Sequence, residues 1–195
     1  LSLLSLYEGD GTLTIRKLMI IDMSIFTLLA IIIDFIIARF GFFGISSFVS
    51  VGIPLILLMY IRWHYGAVIP HFVISLMYLI IYQATFLTRL SHALAVMTLA
   101  VALVFVMPKA LRHRKFSIPM LLIFYGVCYG VMMFVEFFLM GLMVQWLQLS
   151  SHILNHLFNF LLGLGLLSIM GLQKELLVDM KEYFSTKSEE NTPDA

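Results

Sequence analysis

Four polar side chains share one face of an otherwise apolar stretch near the end of the chain. His152, Asn155, His156 and Asn159 follow one another at spacings of three, one and three residues, with Gly163 four residues further on. In an α-helix these positions lie along a single stripe. Imidazole and carboxamide groups hydrogen-bond small polar molecules, and imidazole also coordinates metal ions. The stripe is therefore the first candidate for a binding site.

A single carboxylate stands in the preceding apolar stretch. Glu136 shares a helical stripe with Tyr125, Tyr129 and three methionines. At a rise of 1.5 Å per residue, Glu136 lies about 12 Å from the end of its stretch, and Asn159 lies about 10 Å from the start of the next. In two antiparallel neighbours these depths match, so one ligand can touch both side chains. The alternative is that these polar groups only hydrogen-bond neighbouring helices to each other.

The two histidines also resemble the paired ligands of the metalloprotease motif H-E-x-x-H. The sequence here reads His152-Ile-Leu-Asn155-His156, which lacks the carboxylate that acts as general base in that motif. We therefore predict no enzyme, no resident metal and no bound cofactor. A metal-ion carrier, with Glu136 or His92 as a third ligand, is an alternative that the histidines leave open.

The composition excludes an ordinary soluble protein. Of 195 residues, 62% are hydrophobic and 12% are charged, against about 25% charged in a soluble domain. So few polar residues cannot cover a surface in water, and most of the chain must face lipid. A net charge of +1 indicates no nucleic-acid partner, and Cys128 alone forms no disulfide framework. Because the chain has no G-x-x-x-x-G-K-S/T loop, energy for active transport must come from another subunit.

The apolar stretches divide the chain into membrane segments. A helix needs about 20 apolar residues to cross the hydrocarbon, since unpaired backbone groups are not tolerated there. Six segments meet or approach this length: Leu18 to Ala38, Ser47 to Ile61, Ala67 to Leu87, His92 to Met107, Met120 to Val144 and His152 to Leu172. We predict an all-α integral membrane protein with six transmembrane helices.

The basic residues indicate the orientation of these segments. Six crossings place both termini on one face, and ten of the twelve Lys and Arg residues fall on it. Basic loops stay in the cytoplasm, so both termini are predicted to be cytoplasmic. The chain then comprises residues 1–14, an N-terminal segment that is either interfacial or a leader, residues 15–172, the membrane domain, and residues 173–195, a polar cytoplasmic tail. We expect a multi-pass protein of the cell membrane.

Polar residues concentrate in the outer half of this arrangement. Besides Glu136 and the histidine stripe, outer loops and segment ends add further ligand-binding candidates: Arg39, Gln83, Arg89, His92 and Trp146. The inner half holds few polar residues. A pore needs polar lining at all depths, so a binding cavity open to the outside is the better interpretation.

Three segments end or begin in distinctive runs. The second carries Ile53-Pro54-Leu-Ile-Leu-Leu58 and the basic turn Arg62 to Gly66, the fourth carries Val106-Met107-Pro108 before the basic loop Lys109 to Lys115, and the sixth opens with the polar face His152 to Asn159. With the six-helix plan at this length, the chain from Ile15 to Leu172 resembles the substrate-binding membrane subunit (S component) of an energy-coupling factor vitamin transporter.

This resemblance implies a function in uptake. The subunit would capture a small water-soluble vitamin or precursor from outside a bacterial plasma membrane. It would deliver the vitamin inward with a transmembrane coupling subunit and two cytoplasmic ATPase subunits. In that family the pocket lies at the outer ends of helices four to six and in the first and third outer loops. The first segment departs from the family, because Asp22-Met23-Ser24-Ile25-Phe26 replaces an Ala-x-x-x-Ala docking face.

The ligand is indicated only by charge. Arg39 and Arg89 suit a carboxylate vitamin such as pantothenate, towards which we lean, whereas Glu136 suits an amine-bearing or cationic ring such as pyridoxine or thiamine. Two other classes of protein remain open. One is a membrane scaffold whose polar stripe only joins helices, and the other is the metal-ion carrier.

Overall fold

The described part of the chain is helical. The computed structural model describes residues 11–40, 49–105, 117–142, 149–180 and 183–184. Within these ranges the chain forms six α-helices: α1 Gly11–Phe40, α2 Gly52–Trp63, α3 Val68–Ile81, α4 Phe86–Phe105, α5 Ile118–Leu142 and α6 Leu149–Leu172. Short 3-10 turns follow α2 (His64–Ala67) and α6 (Lys174–Leu177), and these ranges contain no strand. The prediction of an all-α fold is confirmed for them.

The helices have the apolar character of membrane spans. Four stretches of the described chain are long and apolar enough to cross a membrane: Ile15–Phe40, Gly52–Ile81, Ile118–Leu142 and His152–Leu172. A shorter apolar helix covers Phe86–Val101. Large apolar side chains lie on their outer surface, for example Ile25 of α1 and Phe134 of α5, which are more than half exposed. Such a surface is stable in lipid but not in water. The protein therefore has the build of a membrane protein.

The stretch Gly52–Ile81 is a hairpin rather than one span. Gly52, at the start of α2, lies against Tyr78 near the end of α3, so the chain reverses at the 3-10 turn. The two helices have 12 and 14 residues, or about 18 and 21 Å of rise. Both are shorter than the roughly 30 Å of a hydrocarbon core.

The boundary between the third and fourth segments differs from the prediction. Helix α3 ends at Ile81 rather than Leu87, because Tyr82 is extended, and α4 begins at Phe86 rather than His92. The sequence placed His92 at a segment end because it is polar. In the structure it lies inside α4 with its side chain buried in the bundle.

Each helix runs antiparallel to the helix before it. Asp22 in the first half of α1 pairs with Arg62 at the end of α2, whereas Asp34, further along α1, contacts Val51 just before α2. The same reversal joins α5 and α6, whose far ends meet where Ile118 packs against Gly171.

The described ends of the chain lie at one end of the bundle, which we call the terminal end. There Arg62 Nε lies 2.7 Å from Asp22 Oδ2, and Arg62 Nη1 donates a hydrogen bond to the carbonyl of Leu176 beyond α6. The segment after α6 packs against the core through Leu177, Met180 and Phe184. The predicted N-terminal segment 1–14 overlaps α1 from Gly11, and residues 1–10 and 185–195 lie outside the described residues.

Helix α2 forms the centre of the core. All 12 of its residues are buried, among them Ile56, Tyr60 and Trp63. A helix that is apolar on every side is stable only when other helices surround it. α2 contacts α1, α3, α4 and α6. It therefore separates the terminal end from the opposite end with apolar packing.

Candidate functional site

Glu136 is the centre of a buried carboxylate–histidine cluster at the end of the bundle opposite the terminal end. Its side chain is 0% exposed. Its Oε2 accepts a hydrogen bond from His92 Nδ1 at 2.8 Å, and its Oε1 accepts one from His152 Nε2 at 2.6 Å. A carboxylate in the interior needs such partners, because its desolvation is costly. Helices α4 and α6 therefore meet α5 through this one carboxylate.

His156 completes this arrangement from the next turn of α6. Its Nε2 lies 3.5 Å from Glu136 Oε2. Its Nδ1 lies 3.0 Å from the hydroxyl of Tyr129, and the same hydroxyl donates to the His156 carbonyl at 3.1 Å. We call Glu136, His92, His152 and His156 the Glu136 cluster. Its carboxylate is in contact with three imidazole rings from two helices.

The Glu136 cluster follows directly from helical geometry. His152 and His156 are four residues apart, so their rings lie on one face of α6 with their centroids 5.0 Å apart. Tyr129 and Glu136 share the buried face of α5. Because α5 and α6 are antiparallel, these two faces meet near the start of α6.

A second buried carboxylate organises the start of α2. Asp34 of α1 is 0% exposed, and it accepts hydrogen bonds from Ser50 Oγ at 2.6 Å and from the backbone N–H of Val51 at 2.7 Å. Ser50 Oγ also lies 2.8 Å from the Tyr78 hydroxyl, and the backbone N–H of Ser50 donates to Asn159 Oδ1 at 2.7 Å. We call Asp34, Ser50, Tyr78 and Asn159 the Asp34 cluster. It joins α1, α3 and α6 at the N-terminus of α2, where the helix dipole favours a negative charge.

Aromatic rings connect the two clusters. The His92 ring lies 5.1 Å from the Tyr78 ring and 5.8 Å from the Tyr82 ring, measured between centroids. On its other side it lies 6.4 Å from the His156 ring. Since Tyr78 belongs to the Asp34 cluster, the two carboxylates are parts of one buried polar region that spans five helices.

The structure brings together some of the predicted ligand-binding residues. Glu136, His92, His152 and His156 form one cluster, and Asn159 lies in the adjoining one. Asn155 is buried on the same helix. Helix α4 supplies His92 from its interior, whereas the sequence predicted that residue at the outer end of a segment.

Other predicted site residues lie elsewhere. Arg89 Nη1 donates to the carbonyl of Leu79 at the end of α3, and the Arg39 guanidinium lies over the Phe35 ring of its own helix. Gln83 is exposed in the turn before α4. These three residues do not join either cluster, and Trp146 lies outside the described residues.

Ser50 and Tyr78 are members of the site that sequence reasoning did not single out. Tyr78 stands in an apolar helix, where His71 and Ser75 are the polar residues at helical spacing before it, and Ser50 lies just before α2. The usable signal is Asp34, a carboxylate inside an apolar segment, which requires hydrogen-bond donors at its own depth.

Close packing of α5 on α6 supports the site. Tyr125 of α5 donates a hydrogen bond to the carbonyl of Asn159 at 3.2 Å, and its ring lies directly over Gly163. A Cβ at Gly163 would collide with this ring. Gly163 is therefore the residue that lets Tyr125 reach the α6 backbone.

We expect Gly163→Ala to destabilise the protein by about 1–3 kcal/mol, because Tyr125 must move away from α6. Gly130→Ala is the matched control, since a Cβ there meets nothing within 4 Å, and it should be neutral or stabilising by up to about 1 kcal/mol. Thermal unfolding of both variants in the same detergent measures the difference. Equal melting temperatures would contradict this account of the α5–α6 contact.

The donor atoms of the Glu136 cluster suit two kinds of ligand. One donor atom each from Glu136, His152 and His156 lies within 4.8 Å of the others, as a metal site requires. The same carboxylate and imidazoles are hydrogen-bonding partners for a polar or cationic organic molecule. Either ligand has to displace at least part of the present hydrogen bonding around Glu136.

Comparisons with known proteins identify no family for this chain. Neither the protein-family models, nor the curated proteins, nor the solved structures contain a match to this chain. Functional inference therefore rests on the two buried clusters and on the apolar helices around them.

Proposed function

We propose that this protein is the substrate-capture membrane subunit of an uptake transporter. The observation that carries the proposal is the position of its buried polar groups. Both the Glu136 cluster and the Asp34 cluster lie at the end of the bundle opposite the terminal end, and the apolar helix α2 fills the space towards that end. A site that is polar on one side and closed on the other captures a ligand and does not conduct it.

The depth of the region follows from α1. Asp22 belongs to the terminal end and Asp34 to the polar region, and their separation of twelve positions corresponds to about 18 Å along the helix. Between them the buried residues of α2 include Ile56, Leu58 and Met59.

Two buried polar side chains of α3 lie in the same interval, and both are hydrogen-bonded within the bundle: His71 to the Tyr60 hydroxyl and the Val96 carbonyl, and Ser75 to the His71 carbonyl. A ligand held near Asp34 is separated from the terminal end by these packed side chains, so its release inward requires movement of the whole subunit.

The orientation in the membrane is part of the proposal. Alternating helix directions, together with the ten of twelve basic residues that the sequence predicts on one face, support six crossings with both termini in the cytoplasm. The short helices α2 and α3 would cross where the bilayer is locally thinner. The polar region then faces outward. A transmembrane coupling subunit and two cytoplasmic ATPase subunits would supply the energy, as in the energy-coupling factor transporters that the sequence resembles, in a bacterial plasma membrane.

The ligand class we favour is cationic. Arg39 and Arg89, which favoured a carboxylate vitamin such as pantothenate, make their contacts outside both clusters. The acidic side chains that the structure describes inside the polar region are Asp34 and Glu136, and Glu136 has histidine partners. Among vitamins, an amine-bearing or cationic ring of the pyridoxine or thiamine type suits them better.

Ligand-dependent thermal stabilisation tests this proposal. Purified protein in detergent is heated with pantothenate, pyridoxine or thiamine, and small molecules that co-purify are identified by mass spectrometry. A ligand at 100 times its Kd stabilises the folded state by about 2.7 kcal/mol. We expect a cationic ligand to raise the melting temperature of wild type and of Arg39→Gln, but not of Glu136→Gln. A protein that binds no small molecule and co-purifies with a partner protein instead would be the membrane scaffold.

A further inference from the structure

We propose that Glu136, His152 and His156 bind a divalent transition-metal ion. Three donor atoms of these residues already lie within 4.8 Å of one another in a fully buried position. The role of the ion as transported cargo rests on the proposed function. The binding itself does not, since it is a property of the isolated subunit.

The orientation of the His156 ring leaves its Nε2 available as a metal ligand. Its Nδ1 faces the Tyr129 hydroxyl at 3.0 Å, and Tyr129 donates its own proton to the His156 carbonyl. Since the single hydroxyl proton of Tyr129 is given to the carbonyl, we assign the ring proton to Nδ1, which leaves a lone pair on Nε2. That Nε2 is buried, has no hydrogen-bond partner, and points towards Glu136 Oε2.

The distance between His156 Nε2 and Glu136 Oε2 matches that between two ligands of one metal ion. Zn²⁺ binds histidine nitrogen and carboxylate oxygen at about 2.1 Å, so two tetrahedral ligands lie about 3.4 Å apart. His156 Nε2 and Glu136 Oε2 are 3.5 Å apart, which is too long for a good hydrogen bond. An ion between them satisfies both atoms without moving either helix.

His152 is the ligand that has to adjust. Its Nε2 lies 2.6 Å from Glu136 Oε1 and donates a hydrogen bond there. Binding an ion through this nitrogen requires the other tautomer, so the ring proton transfers through solvent from Nε2 to Nδ1 and the hydrogen bond is replaced by a bond to the ion. A His152 ring that begins neutral stays neutral, and this rearrangement releases no net proton.

Residues around the ligands are arranged to support them. His92 donates to Glu136 Oε2 at 2.8 Å and so orients the carboxylate, and Tyr129 orients the His156 ring. Such contacts fix the tautomer and direction of metal ligands. Asp34, connected through Tyr78 and the His92 ring, adds a second carboxylate in the same region.

The chemistry of the donors selects the ion. Two imidazoles and one carboxylate suit Zn²⁺, Co²⁺ or Ni²⁺, whereas Mg²⁺ and Ca²⁺ prefer oxygen ligands. Three protein ligands leave a fourth position open, as in sites where a metal exchanges its ligands. The site therefore suits a transition-metal ion that keeps one further ligand, such as water, in its fourth coordination position.

Metal titration of the full chain tests the inference. Protein purified in detergent and stripped with EDTA is titrated with Zn²⁺, Co²⁺ and Mg²⁺. We expect one Zn²⁺ per chain, a visible Co²⁺ spectrum of low-symmetry four-coordination, and no binding of Mg²⁺. His152→Gln and His156→Gln should each weaken Zn²⁺ binding by more than about 100-fold, beyond the 10–100-fold effect of a residue that only supports a ligand.

His64→Gln is the matched control, because it removes a histidine at the terminal end that contacts Asp179 rather than Glu136. It should bind Zn²⁺ as wild type does. If the cluster variants do not fold, X-ray absorption of zinc-loaded wild type decides by counting imidazole ligands, with two expected. Folded wild type without stoichiometric Zn²⁺, or cluster variants with wild-type affinity, would overturn the inference.

The two proposals fail in different ways. A vitamin that binds and requires Glu136, with no Zn²⁺ bound by the same preparation, removes the metal site and leaves the capture function standing. Zn²⁺ bound at the cluster, with no uptake of metal or vitamin by cells that make the protein with its coupling partners, supports the metal site and removes the capture function.

Discussion

Replacement of Glu136 by alanine is expected to destabilise the protein by about 3–5 kcal/mol, because two buried N–H donors lose their acceptor at about 1–3 kcal/mol each and a cavity is left behind. The carboxylate is 0% exposed and accepts hydrogen bonds from His92 and His152. Without it, these two rings lose their acceptor in the interior of the bundle, and a cavity remains between α4, α5 and α6. Chemical or thermal unfolding in a single detergent measures the loss.

Two controls separate the charge from the shape of the side chain. Glu136→Gln keeps the volume and one carbonyl acceptor, so a smaller loss of about 1–3 kcal/mol is expected. Arg16→Gln removes an exposed charge at the terminal end of α1 and should change stability by no more than about 0.5 kcal/mol. If Glu136→Ala unfolds at the wild-type temperature, the three histidines do not depend on the carboxylate, and the cluster described above is wrong.

Replacement of Asp34 by alanine is expected to cost about 2–3 kcal/mol, because a buried acceptor is lost and two buried donors are left unsatisfied. The backbone N–H of Val51 and the hydroxyl of Ser50 both donate to this carboxylate. These two residues lie immediately before α2, at the helix N-terminus where unsatisfied N–H groups are concentrated. The start of α2 should therefore loosen together with the contact between α1 and α2.

Hydrogen exchange gives this prediction a local measurement. In Asp34→Ala the amide of Val51 should exchange faster than in wild type, whereas amides in the middle of α5 should exchange only as global stability requires. Ser24→Ala is the control on the same helix, since Ser24 is exposed. Uniform acceleration at every amide, or none at Val51, would contradict the role of Asp34 as a cap for α2.

Much of the architecture could be predicted because lipid imposes strong rules on sequence. Apolar length alone identifies the helical segments, and the helix-forming regions of the described chain confirm the all-α, membrane-type fold. The side-chain stripe of α6 was also readable, since His152 and His156 at a spacing of four residues must share a helix face. That these residues meet Glu136 agrees with the depths estimated along α5 and α6.

Helix ends were harder to predict because hydropathy averages over a window. The turn from Tyr82 to Thr85 is short and flanked by apolar residues, so nothing in the composition marks where α3 stops. His92 was placed at a segment end for its polarity. Its carboxylate partner, 44 positions away in sequence, is what allows it to be buried inside α4.

The two arginines show a similar limit. Arg39 and Arg89 were assigned to the site because they were the basic residues expected on the outer face. Long side chains choose among several partners within their reach. Arg89 takes the free carbonyl of Leu79 at the end of α3, and Arg39 lies over Phe35. A charge count on one face cannot distinguish these contacts from ligand binding.

Composition and periodicity in this protein specify a lipid-facing all-α chain with one polar face on its last long helix, because solvent preference and helical spacing are local properties. The distribution of basic residues adds an expected orientation. The convergence of His92, Glu136, His152 and His156, and the capping of α2 by Asp34, come from contacts between residues distant in sequence. Such contacts arise because each buried polar group must find its partner among the side chains that packing brings to its depth, and packing is a property of the whole bundle.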